Sequence, residues 1–527
     1  MKAEPPVYGE SEWEEVEEED DNMLVKLRRP QLREDFFRYL QDRVPLMTPL
    51  ISRHLFLGSH QTCTIADRAE WQSGDFNVCV PVSISNWQSE RIMMRCPFPH
   101  MLELQDAQSL TIDEKLRCEA ATYTHVSQNC PHVPILNLWG VGLPSGLNVS
   151  SVHTSPRIWL TWCQFTPTAC LPWYVRAFVH IKDWWARLRG STHSTHFMSF
   201  RTDFRLKSGY LLVDFLKTEQ CTMVSRIWPP ESCSKKRNFY RSLSRTILDL
   251  GSCPLDRIGS FTLNDHGEVS LSNRPLNVRL PLLESEGIPP IIPRSRIYTT
   301  TDSYMHDLLR CHDAKLAFQP NAVRDQYDAK GQMAVLTMMR ALISNICLDI
   351  HRNGPFRLAC TDLHPGNIFV DDDFNITCLP DLEWCHSLPL DALHPPFWLS
   401  GRPVDDLEGE KTQLYDEMCI DFLEEFEHEE RKLNPADPDS RTEAVRKALE
   451  MNVHWFWAAL NHPRATYNIF IDHIQAQYAP QHLDDDLSIQ FQKIVAPYWT
   501  TSFEGFIDER VRQRQAYLQE LRSAYRL

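Results

Sequence analysis

Glycine is scarce in this chain, 18 of 527 residues, while proline is plentiful at 35. Tight glycine-rich loops must therefore be few. The eight-position loop G-x-x-x-x-G-K-[ST] is missing, as are G-x-S-x-G and H-E-x-x-H. No C-x-x-C pair occurs among the 16 cysteines, which excludes the common zinc-finger spacings. Cys79, Cys96 and Cys347 lie in apolar runs, where a free thiol behaves as a small hydrophobe. Basic charge is also short: 54 Lys and Arg stand against 70 Asp and Glu, a net charge of −16. Phosphate backbones are bound by basic surfaces, so nucleic acid is not an expected partner. No apolar run reaches the roughly 18 residues that a membrane span needs. The aromatic-rich stretch from Ile158 to Ile181 is interrupted by Pro167, Pro172 and Arg176, and no membrane association is expected. The charged amino-terminal stretch has no apolar h-region, which predicts a cytoplasmic protein in a reduced compartment. The sequon Asn148-Val149-Ser150 is accordingly read as accidental.

What is present is ordinary globular material, 43% hydrophobic and 24% charged, enough for a large core. Ten acids fall within residues 1–22 beside Lys2 alone, so that segment reads as a disordered acidic tail. Residues 23–69 read as a helical extension, with Phe36, Phe37, Leu40 and Val44 at roughly helical spacing. Residues 70–216 are strand-rich: Asn77–Ile84, Arg91–Cys96, Pro134–Gly142 and Tyr210–Leu216, with a helix over Ile112–Gln128. Lys115 and Arg117 are placed on the solvent side of that helix. Residues 144–207, rich in aromatics among Pro, Ser and His, read as an insertion. His193 and His196 there have no third ligand nearby and predict a solvated loop. From 217 to 527 the pattern is mainly helical, with a hairpin at Ser260–Asn273 and a helix over Met333–Ile350 that is apolar nearly all round. The fold class is α+β, in two lobes. Oligomeric state leaves no mark on the sequence.

Residues 360–384, CTDLHPGNIFVDDDFNITCLPDLEW, carry the chemistry. Pro365-Gly366 forces a turn, Ile368–Val370 and Ile376–Leu379 are short strands, and Asp371, Asp372, Asp373 and Asn375 form a solvated bend between them. Such a hairpin sets the residues before its first strand beside the residues after its second, which brings Asp362 and Asn367 near Asp381. A carboxylate and an amide oxygen held with a second carboxylate suit Mg²⁺, and one acid remains to act as a base. His364 is read as packing the turn.

These residues resemble the aminoglycoside phosphotransferase/choline kinase group of kinase-like small-molecule phosphotransferases, whose motif is H-G-D-x-x-x-x-N followed by a strand, a turn and I-D-x-E. The wider context, ITCLPDLEW then HPPFWLSG, is similar to the set of such proteins expanded in filamentous fungi. The resemblance implies a protein-kinase-like fold of two lobes and ATP with Mg²⁺ as cofactors. It implies transfer of the γ-phosphoryl group to a hydroxyl of a small molecule. It makes Asp362 the catalytic base and Asn367 and Asp381 the metal ligands. In the first half it implies that Arg95 takes the place of the phosphate-binding Lys and pairs with Glu119. It further implies that the Ser73–Asn77 turn, with Gly74 and Asn77, is the phosphate loop, although Asp75 would repel phosphate. The backbone at Leu212, Val213 and Asp214 would face adenine. Two positions depart from the pattern: Cys360 stands for the His of the motif, and Arg95 for the Lys. They motivate an alternative, a pseudokinase-like nucleotide-binding or scaffold protein. A protein kinase is a second alternative, disfavoured because D-L-E-W stands where D-F-G would be and no A-P-E comes after it.

Overall fold

The computed structural model describes residue 13 and residues 16–525, apart from 88, 103–109, 152–196, 218, 220, 348–349, 434–439 and 484. Strands are concentrated in the first part of the chain and helices in the second, the α+β arrangement expected. The strands that build the main sheet are β1 (Cys63–Ile65), β2 (Gln72–Ser73), β3 (Asn77–Ile84), β4 (Arg91–Pro97), β5 (Leu138–Gly142), β6 (Leu147–Ser151), β7 (Phe197–Arg201) and β8 (Tyr210–Asp214). They pair antiparallel in the order β1-β3-β4-β8-β5-β6-β7, with β2 added beside β3. Alternation explains the two inner strands. Val78, Val80 and Val82 of β3 and Ile92, Met94 and Cys96 of β4 are fully buried on one face, where β-branched and compact apolar side chains pack well. Residues one step out of phase, Arg95 among them, point to the other face.

The helix Leu110–Asn129 lies against the sheet and against the hairpin of β10 (Ser260–Leu263) and β11 (Val269–Asn273), whose turn carries Gly267 at φ +81°. Its amino-terminal half is fixed by a buried ion-pair network. Arg274, completely buried, donates to both carboxylate oxygens of Glu114 at 2.8 Å, to Glu284 at 2.6 Å and to the Ile292 carbonyl at 2.8 Å. A guanidinium so fully satisfied can be buried, and it sets the helix in one position.

Several boundaries differ from the sequence reading for local reasons. The 23–69 extension holds two helices, Met23–Gln41 and Val44–His54, the second opening with Pro45 in its first turn, and it also supplies β1 to the sheet. The buried helix begins earlier, at Gln326, where the Asp325 side chain accepts from the Tyr327 and Asp328 amides at 2.7 and 2.9 Å, and it ends at Ile346. The 144–207 segment is partly built into the sheet as β6 and β7, paired from Leu147↔Arg201 to Ser151↔Phe197. His193 and His196 lie outside the described residues. Asn148 of the sequon is buried and donates to the Gly146 carbonyl and the Thr202 hydroxyl, so it is unavailable to a modifying enzyme.

The acidic segment departs from a free tail wherever it is described. Trp13 is buried against Tyr517, Leu521 and Tyr525 of the helix Phe503–Tyr525. Asn321 donates to the carbonyls of Glu19 and Asp21, and Arg464 pairs with the Asp21 carboxylate. Backbone carbonyls captured by buried amides fix a segment that its charge alone would leave in water. Among the described residues no helix is long and apolar enough to cross a membrane.

Candidate active site

Two nested strand pairs build the site. The inner pair is β13 (Phe369–Val370) with β14 (Ile376–Cys378), joined through a bend in which Asp371 accepts from the Asp373 and Asn375 amides. The outer pair is β12 (Arg357–Cys360) with β15 (Cys385–Leu388), in register at Cys360↔Cys385. Between them the Thr361 amide and hydroxyl both donate to the Trp384 carbonyl, at 3.1 and 2.7 Å. Residue 361 therefore faces 384, and Asp362 is carried next to the Asp381–Glu383 turn. A third strand, β9 (Thr222–Met223), covers β13. The loop after Asp362 is braced from the far side, where the Trp398 indole donates to the Leu363 carbonyl at 2.8 Å.

Asn367 turns its amide nitrogen toward Asp362, at 3.3 Å from the carbonyl and 3.4 Å from the carboxylate. Its Oδ1 accepts no hydrogen bond among the described residues, which leaves an oxygen for a hard cation. His364 accepts from the Gly366 amide at 3.1 Å, and its Nε2 lies 3.8 Å from Asp362, so it braces the turn.

Arg95 crosses from β4 to the hairpin. It donates to Glu119 at 2.8 Å, to Asp381 at 2.9 Å and to the Pro380 carbonyl at 2.8 Å. The expected Arg95–Glu119 contact is present, and Arg95 faces the hairpin rather than solvent. Lys115 corrects the sequence reading. It is fully buried, lies 3.3 Å from Glu119 and donates to the Asn77 side-chain oxygen at 3.2 Å. It also pairs directly with Glu383, which accepts from the Asn77 amide at 3.0 Å. The i,i+4 spacing of Lys115 and Glu119 is the signal that puts both on one helix face. Tyr123, one turn further along, donates to the Pro380 carbonyl at 2.6 Å, so successive turns of this helix hold the hairpin.

Glu119, Asp381 and Glu383 bring carboxylate oxygens within 4.8 Å of one another. Two cations lie among them, Arg95 and Lys115. Burial opposes both charges, but Asp381 and Glu119 outweigh it at Arg95, and Glu383 and Glu119 outweigh it at Lys115, so both are held above their usual ranges. Negative charge remains in excess. Burial and the neighbouring Asp381 push Asp362 up to about 7, partly offset by Arg279, and the same two causes push Glu383 up to about 7. A surplus of carboxylates in a dry site is what a divalent cation relieves, so the donor set fits Mg²⁺. Arg279, at the start of the helix Arg279–Ser285, faces Asp362 and is a residue that the sequence reading does not single out. Nothing in the local pattern there reveals it.

Three expected nucleotide contacts fare differently. Gly74 lies in an exposed turn closed by its own amide on the Asn77 carbonyl at 3.1 Å, and a side chain there would meet nothing within 4 Å. Asn77 is buried with both ends of its amide engaged by Lys115 and Glu383, so it orders the ion pairs rather than offering a free donor. Leu212, Val213 and Asp214 are on β8, an inner strand in register with β4 on one side and β5 on the other for Leu212 and Val213. The Asp214 amide donates to the Asn137 carbonyl at 3.1 Å, and its carboxylate accepts from Asn137 and Trp139. Leu212 and Val213 are thus paired on both flanks, and at Asp214 the amide is committed to Asn137.

No family model matches this chain, and no curated protein sequence matches it. Among solved structures a match is a macrolide 2'-phosphotransferase type I, with a TM-score of 0.33 and 10% identity over 86% of this chain and 96% of that one.

Proposed function

We propose that this chain is a protein-kinase-like, two-lobed phosphotransferase that moves the γ-phosphoryl group of ATP to a hydroxyl of a small molecule. One observation carries the reading: the strand pairs set Asp362, with Asn367 hydrogen-bonded to it, within electrostatic reach of Asp381, where Arg95 crosses from the sheet to meet both Asp381 and Glu119. The order β3-β4-β8-β5, with the Glu119 helix packed beside it, supports the same reading.

In this mechanism Asp381 and the Asn367 oxygen would hold Mg²⁺, which when bound would supply charge neutralisation for the phosphates. Arg95 then exchanges part of its contact with Asp381 for phosphate oxygen while Glu119 keeps its guanidinium oriented. Asp362 accepts the proton of the acceptor hydroxyl as that oxygen bonds to the γ-phosphorus and the bond to the ADP oxygen breaks.

A second reading, a nucleotide-binding pseudokinase, is favoured by one specific contact: Arg95 already neutralises Asp381 at 2.9 Å. Thermal unfolding separates the two. A phosphotransferase is stabilised by Mg²⁺ with ATP, the shift is abolished by EDTA, and ATP is slowly hydrolysed without acceptor. A metal-independent shift with no hydrolysis selects the pseudokinase, and no shift at all removes both.

A further inference from the structure

Beside Asp362 lies a half-open cavity of about 550 Å³. Its floor is Leu358 of β12 and Leu388 of β15, and its walls include Phe397 and, from the helix Glu410–Leu433, Phe422, Leu423 and Phe426. Asp362, Thr361 and His364 stand on the same surface, so the cavity opens on the carboxylate assigned as base. A space of this size lined mainly by aliphatic and aromatic side chains accommodates a drug-sized apolar body.

The polar part of the lining narrows the ligand further. Acids are Asp362 and the exposed Asp405; against them stand Arg279 and Arg464, the latter tied to Asp21. His394 and His462 each engage a backbone carbonyl, of Pro395 and Ala458, at 2.9 Å. Burial lowers the basicity of both rings, so they stay neutral near pH 7. With Arg464 paired to Asp21, the cation that faces Asp362 in the lining is Arg279, whose guanidinium makes no hydrogen bond or ion pair among the described residues. A polyamine ligand needs a surplus of carboxylates along the wall, and here it would meet a positive charge at the reacting end.

We infer that the cavity binds a bulky, uncharged apolar alcohol, of the polycyclic or long-chain kind, with its hydroxyl at Asp362, and that Arg279 disfavours aminated sugars. The assignment of that hydroxyl as the phosphoryl acceptor rests on the function proposed above; binding of the alcohol does not. Binding is measured without nucleotide, by calorimetry and thermal shift on the full chain. The probes are a sterol, a polycyclic terpenoid alcohol, a long-chain fatty alcohol and a polyaminated trisaccharide. At least one of the alcohols binds and raises the unfolding temperature, and the trisaccharide does not. The cavity-filling variants Leu423→Trp and Val445→Phe, each checked for native circular dichroism, weaken alcohol binding at least about tenfold, the scale of excluding apolar volume from a pocket. Binding of the trisaccharide in place of the alcohols overturns the inference, as does failure of every alcohol to bind folded protein or affinity unchanged in both filled variants. Incubation of a bound alcohol with γ-labelled ATP and Mg²⁺ is the separate arm. Binding without transfer of label leaves the ligand class standing and removes the phosphotransferase reading.

Discussion

Asp362 illustrates how one half-buried carboxylate couples stability to activity. Its value rises from the usual carboxylate range to about 7, with burial as the main cause and Asp381 as the second. Between those limits the folded protein holds a proton that the unfolded chain has released. Its stabilising contribution is therefore complete at low pH and lost as pH rises toward 7. Asp362→Asn removes the charged form, so the variant is more stable than the parent at pH 8, by up to roughly 3 kcal/mol given partial solvent access, and no more stable at pH 4. The same variant loses on the order of 10²–10⁴ in turnover while keeping nucleotide binding. Urea melts at the two pH values check the first effect; equal stability differences at both would refute the coupling. Lys115 behaves oppositely. Lys115→Met leaves Glu383 buried without its cation and destabilises by about 3–5 kcal/mol, and adding Glu383→Gln recovers part of the loss. A double-mutant cycle with no coupling energy would discard the pair.

At the scale of elements, β5 shows why a strand can need glycine. A side chain at Gly142 would place its first carbon 2.2 Å from the Tyr210 ring, and one at Gly140 would come 2.4 Å from His54. Those two rings belong to a buried chain of hydrogen bonds. Tyr210 donates to Asn148 at 2.8 Å, accepts from His54 Nε2 at 2.8 Å, and His54 Nδ1 accepts from Ser150 at 2.9 Å. Burial holds His54 neutral, at about 3, which suits a ring that donates at one nitrogen and accepts at the other. Gly142→Ala must displace Tyr210 and costs on the order of 1–3 kcal/mol, read as a lower urea midpoint. An unchanged midpoint would mean the ring has room that the packing denies it. The strand matters to the site because β5 flanks β8, and β8 in turn flanks the strand that carries Arg95.

Across the whole molecule, the two chain regions most distant in sequence meet at one small apolar cluster. The Trp13 ring lies edge-on to Tyr525 at 6.3 Å with Arg522 over its face, and the Met23 amide donates to the Tyr517 hydroxyl at 2.9 Å. Trp13→Ala opens this contact without touching the hairpin. The expected result is faster proteolytic cleavage near residues 13–22 with unchanged binding of Mg²⁺ and ATP. Cleavage at the parent's rate would show that Asn321 and Arg464 suffice to hold the segment. Ligand linkage is the matching global test: at 100 dissociation constants of Mg²⁺ with ATP the fold gains about 2.7 kcal/mol, a shift of a few degrees, and EDTA removes it.

The sequence alone determined what depends on neighbours along the chain. Asn77–Ile84 is the strand its valines predict, and the 360–384 pattern predicts a hairpin that carries Asp362 toward the Asp381–Glu383 turn. Tertiary structure decided what depends on the surface an element meets. Lys115 resembles any charged helical residue until the hairpin delivers Glu383 to it. Leu212–Asp214 read as a strand, but whether its backbone is free is settled by its place between two others. The acidic segment reads as repelling itself until Asn321 and Trp13's aromatic partners are supplied from the far end of the chain. In each case the deciding partner is hundreds of residues away or on another element, and no local periodicity encodes it.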